Sequence, residues 1–159
     1  MGFLGDTLVS NGCNYTSIKT LADRNQPFLS GTFAEEYQLF TAAKATAICK
    51  KQPETIIQIL YTVHQTLQDL HHVICCTPKQ HFLIAIPEQS IKQEITPKEL
   101  RWIPAKKLKP GMEFLSNEQF ITIASVENLD LPAEVYTCLM PYADNFMIAD
   151  RIIAKTEKP

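Results

Sequence analysis

Five cysteines and four histidines supply most of the nucleophiles, bases and metal-binding atoms of this chain. The densest group is His71, His72, Cys75 and Cys76. A zinc centre would need spaced pairs converging in three dimensions. In one extended run, adjacent side chains point to opposite faces. The group therefore reads as strand and core packing, and no metal or cofactor is implied. The cysteines (Cys13, Cys49, Cys75, Cys76 and Cys138) are odd in number and lack framework spacing, which argues against a disulfide-stapled fold. Cys75 and Cys76 lie in an apolar run, where a thiol behaves as a small hydrophobe. Cys13 follows a turn glycine and is expected to be exposed. Asp6 reads as a turn residue that bonds its own backbone, and Thr7 as structural.

The elements that must position such groups are short. Ten prolines and five glycines punctuate segments rich in β-branched and aromatic residues, the pattern of an all-β domain. Thr7–Ser10 reads as a strand, Asn11-Gly12 as a turn, and Tyr15–Leu21 as a continuation in extended form. Glu54–Val63 has strand composition, and Pro53 keeps a helix from running into it. His72–Cys76 and His81–Ile86 flank a turn at Thr77-Pro78-Lys79-Gln80. Phe120–Val126, Val135–Met140, Asn145–Ile148 and Arg151–Ala154 complete the strands. Pro104–Leu108 reads as one helical turn ended by Pro110-Gly111. Propensity favours helix over the alanine-rich Thr41–Ala47. We nevertheless assign strand to Ala43–Lys51, with a helical turn near Ala34–Leu39. Asp23–Thr32 and Pro87–Arg101 read as loops, and Trp102 and Tyr136 as core aromatics.

The chain's 159 residues, 45% of them hydrophobic, suit one domain with a real core. We expect a domain over 1–156 and a short tail over 157–159. A formal net charge of -2 argues against a nucleic-acid partner. Lys106, Lys107 and Lys109, the densest basic run, read as a solvated loop. No apolar run reaches membrane-spanning length, and the first residues lack a signal-peptide pattern. The expected location is cytoplasmic, or within a larger exported polypeptide.

Four blocks carry a resemblance. The first is Met1-Gly2-Phe3-Leu4-Gly5-Asp6-Thr7-Leu8-Val9-Ser10-Asn11-Gly12, followed by Ile18-Lys19-Thr20-Leu21. The second is Ile74-Cys75-Cys76-Thr77-Pro78-Lys79-Gln80-His81-Phe82-Leu83. The third runs from Trp102-Ile103-Pro104-Ala105 to Pro110-Gly111-Met112. The fourth is Val135-Tyr136-Thr137-Cys138-Leu139 with Asp144-Asn145-Phe146-Met147-Ile148 and Asp150-Arg151-Ile152-Ile153-Ala154. In this order, over nearly the whole chain, they resemble the Hint superfamily of inteins, bacterial intein-like domains and hedgehog autoprocessing domains. The resemblance implies an all-β, horseshoe-like Hint fold of long bent strands with the termini close together.

It also implies a chemistry. A first-position cysteine attacks the preceding carbonyl, and a threonine and a histidine of the second block polarise the amide and move protons. A terminal asparagine, helped by the histidine before it, then cyclises and cuts the far junction. This chain departs at most of those positions. Gly2 stands at the nucleophile position. Thr77 is kept, but Gln80 replaces the histidine and cannot shuttle a proton near neutral pH. His81 is one residue out of register, which in a strand sends a side chain to the other face. Thr137 replaces an aspartate, and Asp144 a histidine. The terminal pair is Ala154-Lys155 or Lys155-Thr156, with no asparagine to cyclise. Cys138 is the surviving thiol nearest the family's centre. One substitution would explain Gly2 alone, whereas Gln80 and the missing asparagine together point to natural degeneration.

The resemblance therefore implies an autoprocessing domain, inactive for full splicing, whose substrate is its own flanking polypeptide. The alternative is a non-enzymatic module that presents residues 23–32 and 87–101 to a protein partner.

Overall fold

The computed structural model describes residues 1–87, 98–116 and 119–157. All its strand pairs are antiparallel. The order across the sheet is β2 (Asn14–Ser17), β1 (Leu8–Asn11), β10 (Asn145–Ile148), β11 (Ile152–Lys155), β6 (His81–Pro87), β8 (Glu113–Phe114), β9 (Phe120–Leu139), β4 (Leu39–His64) and β3 (Phe28–Ala34), with β5 (Asp69–Cys76) added to β4 and β7 (Lys98–Pro104) to β6.

β1 (Leu8–Asn11) and β2 (Asn14–Ser17) form a hairpin whose turn holds Gly12 at φ 62°. Glycine enters that left-handed region without steric cost. The extended reading of Tyr15–Leu21 is corrected, because β2 stops at Ser17 and Ile18–Arg24 form helix α1. Ser17 caps the helix by accepting the Thr20 N–H at 3.3 Å. Asn25, at φ 51°, closes it. Ile18 and Leu21, three residues apart on one helical face, are buried in the core.

β3 (Phe28–Ala34) follows almost at once and pairs along its length with β4 (Leu39–His64). The loop expected over Asp23–Thr32 is thus reduced to a short link between α1 and β3. The helical turn expected near Ala34–Leu39 is instead the turn of the β3–β4 hairpin, with Gln38 at φ 54°. Strand pairing also overrides the helical propensity of the alanine-rich stretch within β4.

Two long strands organise the fold. β4 has 26 residues and β9 (Phe120–Leu139) has 20, and they pair from Thr46↔Leu139 to His64↔Phe120. Phe120–Val126 and Val135–Met140, read as two strands, are parts of one that ends at Leu139. Both strands pass through a proline. Pro53 and Pro132 fall where the register jumps between Lys50, Glu54 and Ile56, so their missing N–H groups interrupt no regular ladder.

The remaining strands are β5 (Asp69–Cys76), β6 (His81–Pro87), β7 (Lys98–Pro104), β8 (Glu113–Phe114), β10 (Asn145–Ile148) and β11 (Ile152–Lys155). The end of the expected Pro87–Arg101 loop is strand, since residues 98–101 lie in β7 on β6. Its middle, 88–97, lies outside the described residues. Ala105–Lys107 form the expected single helical turn, of 3-10 type. Arg151, expected in the last strand, belongs to the tight turn before β11, where Asp150 and Arg151 take φ 59° and 61°.

Phe3, Phe82, Phe114 and Phe146 pack edge to face in the core, with centroids 5.4 to 5.9 Å apart. Tyr136 is buried, while Trp102 is half-buried with Lys155 Nζ 5.1 Å from its ring centroid. No helix among the described residues is long and apolar enough to cross a membrane.

Candidate functional site

The first residues are drawn into the molecule between the end of β5 and β9. Phe3 exchanges two backbone hydrogen bonds with Tyr136, each 2.8 Å, and Leu4 N–H donates to Cys75 O at 3.0 Å. Thr77 N–H donates to Gly2 O at 2.9 Å. Gly2 is buried. A Cβ built on it would lie 3.1 Å from Tyr136 O and 3.1 Å from Val135 Cβ and Cγ2. The backbone is thus closed around a residue without a side chain.

The last strand arrives from the other side, lying between β10 and β6 with Ala154 opposite Phe82. Gln80 joins the two ends. Its backbone N–H donates to Thr77 O at 3.1 Å. Its side-chain Nε2 donates to Lys155 O at 3.0 Å and to His81 O at 3.1 Å. A continuous path therefore runs from Gly2 through Thr77 and Gln80 to Lys155. Beyond it, Thr156 is buried and its N–H donates to Asp144 O at 2.8 Å. Ala154 is fully buried.

Several polar atoms along this path are left over. Gln80 is 0% exposed, yet its Oε1 has no hydrogen-bond partner among the described residues, and neither do Thr77 Oγ1 and Thr137 Oγ1. Thr137 follows Tyr136, the residue that grips Phe3. Buried polar atoms are paired in the great majority of cases, and exceptions concentrate where chemistry or bound water belongs.

The structure does not bring every expected residue to this path. His81 Nδ1 turns back to Lys79 O at 2.8 Å, while the neighbouring Gln80 side chain points inward. Cys138 is fully buried on β9, where burial pushes its thiol far up and keeps it neutral. The His71–Cys76 group is dispersed. His71 Nδ1 meets Thr62 Oγ1 at 3.1 Å, His72 Nδ1 meets Asp150 Oδ2 at 2.7 Å, and Cys76 is buried. Among the described residues no group of three or more His, Cys, Asp or Glu is placed to hold a metal.

Sequence reasoning missed Lys50. Its ammonium donates to Met1 O at 3.1 Å and to Glu157 Oε1 at 3.0 Å, with Glu54 Oε2 at 3.8 Å. Met1 O belongs to the peptide bond immediately before Gly2. The N-terminal ammonium itself lies 3.6 Å from Glu157, so two cations and one carboxylate tie the two ends together. Burial pushes the Glu157 carboxyl up, but the Lys50 hydrogen bond and the two neighbouring cations outweigh it and hold the carboxyl below its ordinary value. Burial likewise opposes the Lys50 charge, while hydrogen bonds to Glu157 and the N-terminus leave its pKa raised. No local motif marks this lysine, which sits mid-strand beside Lys51 and reaches its partners only through the closed fold.

No protein-family model and no curated sequence matches the chain. Solved structures do. The DnaB intein of Synechocystis sp. PCC 6803 is 20% identical, with 98% of each chain covered and a TM-score of 0.66. The PabCDC21-1 intein is 15% identical over 98% of each chain, with a TM-score of 0.71. A bacterial intein-like domain from Clostridium thermocellum is 17% identical over 98% of each chain, with a TM-score of 0.63. With its two long antiparallel strands, its adjoining chain ends and these full-length structural matches, the chain has the Hint fold of inteins and intein-like domains.

Proposed function

We propose that this chain is a self-processing Hint domain that still aligns two junctions of its own polypeptide but no longer completes splicing. The observation that carries the reading is Gln80. Its buried amide bridges the path between Gly2 and Lys155, at the position the family resemblance gives to a proton-carrying histidine. An amide holds the geometry without titrating.

The other positions support the same reading. Lys50 Nζ on Met1 O could stabilise negative charge developing on that carbonyl. Gly2 brings no nucleophile to attack it, and the close approach of Val135 and Tyr136 O leaves little room for one. The far junction, Ala154-Lys155-Thr156, offers no asparagine, and His81 faces away from the Gln80 amide.

The test is the intact mass of the chain carrying short flanking peptides at both ends. A single unprocessed mass over days is expected. Ligation of the two flanks with release of the domain would refute the reading, whereas loss of one flank alone would show that water or another group still cleaves at that junction. Adding Gly2→Cys and Gln80→His, with Val135→Ala to make room, should restore thioester-dependent cleavage before residue 2, detectable as thiol-induced release of the upstream flank. If a folded triple variant released nothing, a site disabled merely by these substitutions would be ruled out.

A further inference from the structure

Met1 O, the carbonyl oxygen of the bond before Gly2, shares one ammonium with a carboxylate from the other end of the chain. Lys50 Nζ donates to Met1 O at 3.1 Å and to Glu157 Oε1 at 3.0 Å. A lysine ammonium has three donors and accepts nothing. Glu54 Oε2 lies 3.8 Å from the same nitrogen, is buried, and has no hydrogen-bond partner among the described residues. Strand pairing sets the lysine there. Lys50 lies opposite Val135, the residue before Tyr136, whose backbone grips Phe3. Whether the terminal pair is Ala154-Lys155 or Lys155-Thr156, Glu157 falls beyond the far junction. The contact therefore joins the carbonyl of the upstream junction to a carboxylate of the downstream flank.

A nucleophile that adds to the Met1 carbonyl carbon drives an electron pair onto Met1 O. A cation within hydrogen-bond distance stabilises that oxyanion. A carboxylate on the same ammonium opposes it in two ways. It draws the donor away from the carbonyl, and it repels the new negative charge.

We infer that Lys50 is the catalytic oxyanion-stabilising residue of the upstream junction and that Glu157 restrains it, so that the downstream flank governs the reactivity of the bond before Gly2. The inference rests on the self-processing reading and extends it, from two junctions that are aligned to two that are coupled through charge. While Glu157 is in place, its carboxylate offsets the ammonium. Once the downstream flank is cut or withdrawn, Lys50 keeps Met1 O and the more distant Glu54 as partners.

Two readouts on the chain carrying both flanks test it. With an upstream flank the Met1 nitrogen is an amide, so of the two cations now facing Glu157 only Lys50 remains. The first readout needs no cleavage. Met1-Gly2 is the one Met-Gly step in the sequence. Carbonyl-¹³C methionine with ¹⁵N-glycine therefore gives a single carbonyl–amide correlation, provided the flanks add no second such step. Glu157→Gln should move the Met1 carbonyl carbon downfield, because the unrestrained ammonium polarises it more. Lys50→Met should move it upfield and remove most of the response to Glu157→Gln. The second readout is a rate. In the Gly2→Cys, Gln80→His, Val135→Ala variant, the thiol at position 2 forms a C–S bond to the Met1 carbon. The C–N bond breaks, and the thiol's proton ends on the departing amine. Adding Glu157→Gln should speed thiol-induced release of the upstream flank by about tenfold, the scale for removing a like charge about 5 Å away at a partly exposed site. Lys50→Met should slow release and abolish that gain. A clamp with a purely structural role predicts the opposite sign, since loosening it would slow release. A carbonyl signal indifferent to both single substitutions would overturn the inference, and so would release that Glu157→Gln slows or leaves unchanged. If the triple variant releases nothing while the carbonyl signal moves as expected, the charge coupling stands and the reading of a merely disabled site fails.

Discussion

Replacing Gln80 tests how the two ends are held. The side chain is fully buried and donates to two carbonyls, Lys155 O and His81 O, so a glutamate of the same length would turn a donor towards both into an acceptor. Ionised, that carboxylate would face two carbonyl oxygens with no cation within its hydrogen-bond set. It would therefore keep its proton in the folded state, with its pKa raised above the ordinary glutamate value. The unfolded chain releases the proton near pH 4.3. Between that pH and the folded pKa the native state binds more protons, so stability falls as pH rises. If the folded pKa exceeds 7, the loss between pH 4.3 and 7 is about 3.7 kcal/mol, at about 1.4 kcal/mol per pH unit. Gln80→Leu, of similar size, leaves the two carbonyls bare but also removes the partnerless Oε1. Its cost should be about 1 kcal/mol and independent of pH. Urea denaturation of both variants and the parent from pH 4 to 8 measures this. A Gln80→Glu penalty that stays flat with pH would show that the side chain escapes to solvent, and would refute the bridging role.

Lys50→Met should remove the link between Met1 O and Glu157 and cost about 1 kcal/mol near neutral pH, the upper range for a partly exposed ion pair. The Glu157 carboxyl is held below its ordinary value. Its contribution is thus complete above the unfolded carboxyl pKa and lost as pH falls through the folded one, so the difference between Lys50→Met and parent in a urea series should shrink in acid. Thiol titration with a disulfide reagent should find Cys13 and Cys49 reacting first and the half-buried Cys75 more slowly. Cys76 and Cys138 should react only on unfolding, because burial keeps them protonated and out of reach. Asp150→Ala strips the partner from the buried Tyr61 hydroxyl, 2.6 Å away, and from His72. Thermal denaturation should show a loss of about 2 kcal/mol, with Asp150→Asn milder because asparagine accepts the hydroxyl and tolerates positive φ.

The local order of residues made the architecture legible. The proline and glycine punctuation pointed to an all-β domain, since turn chemistry and apolar alternation act over a few residues, and the resemblance of four spaced blocks implied the Hint fold with adjoining ends. The same reading singled out Gly2, Gln80 and Ala154-Lys155-Thr156 as candidates, because those are identities rather than geometries. It failed where neighbours in space outvoted neighbours in sequence. The alanine-rich start of β4 is strand because β3 lies beside it. Pro53 and Pro132 sit inside long strands because the β4–β9 register jumps there. Ile18–Arg24 is helix because Ser17 and Asn25 cap it over a buried face, a signal present in the sequence but outweighed by the strands around it. Only the closed fold decided that Gln80 reaches Lys155, and that Lys50 meets Met1 and Glu157 across 49 and 107 positions. Contacts at such separations depend on the path of the whole chain, which no short window of sequence contains.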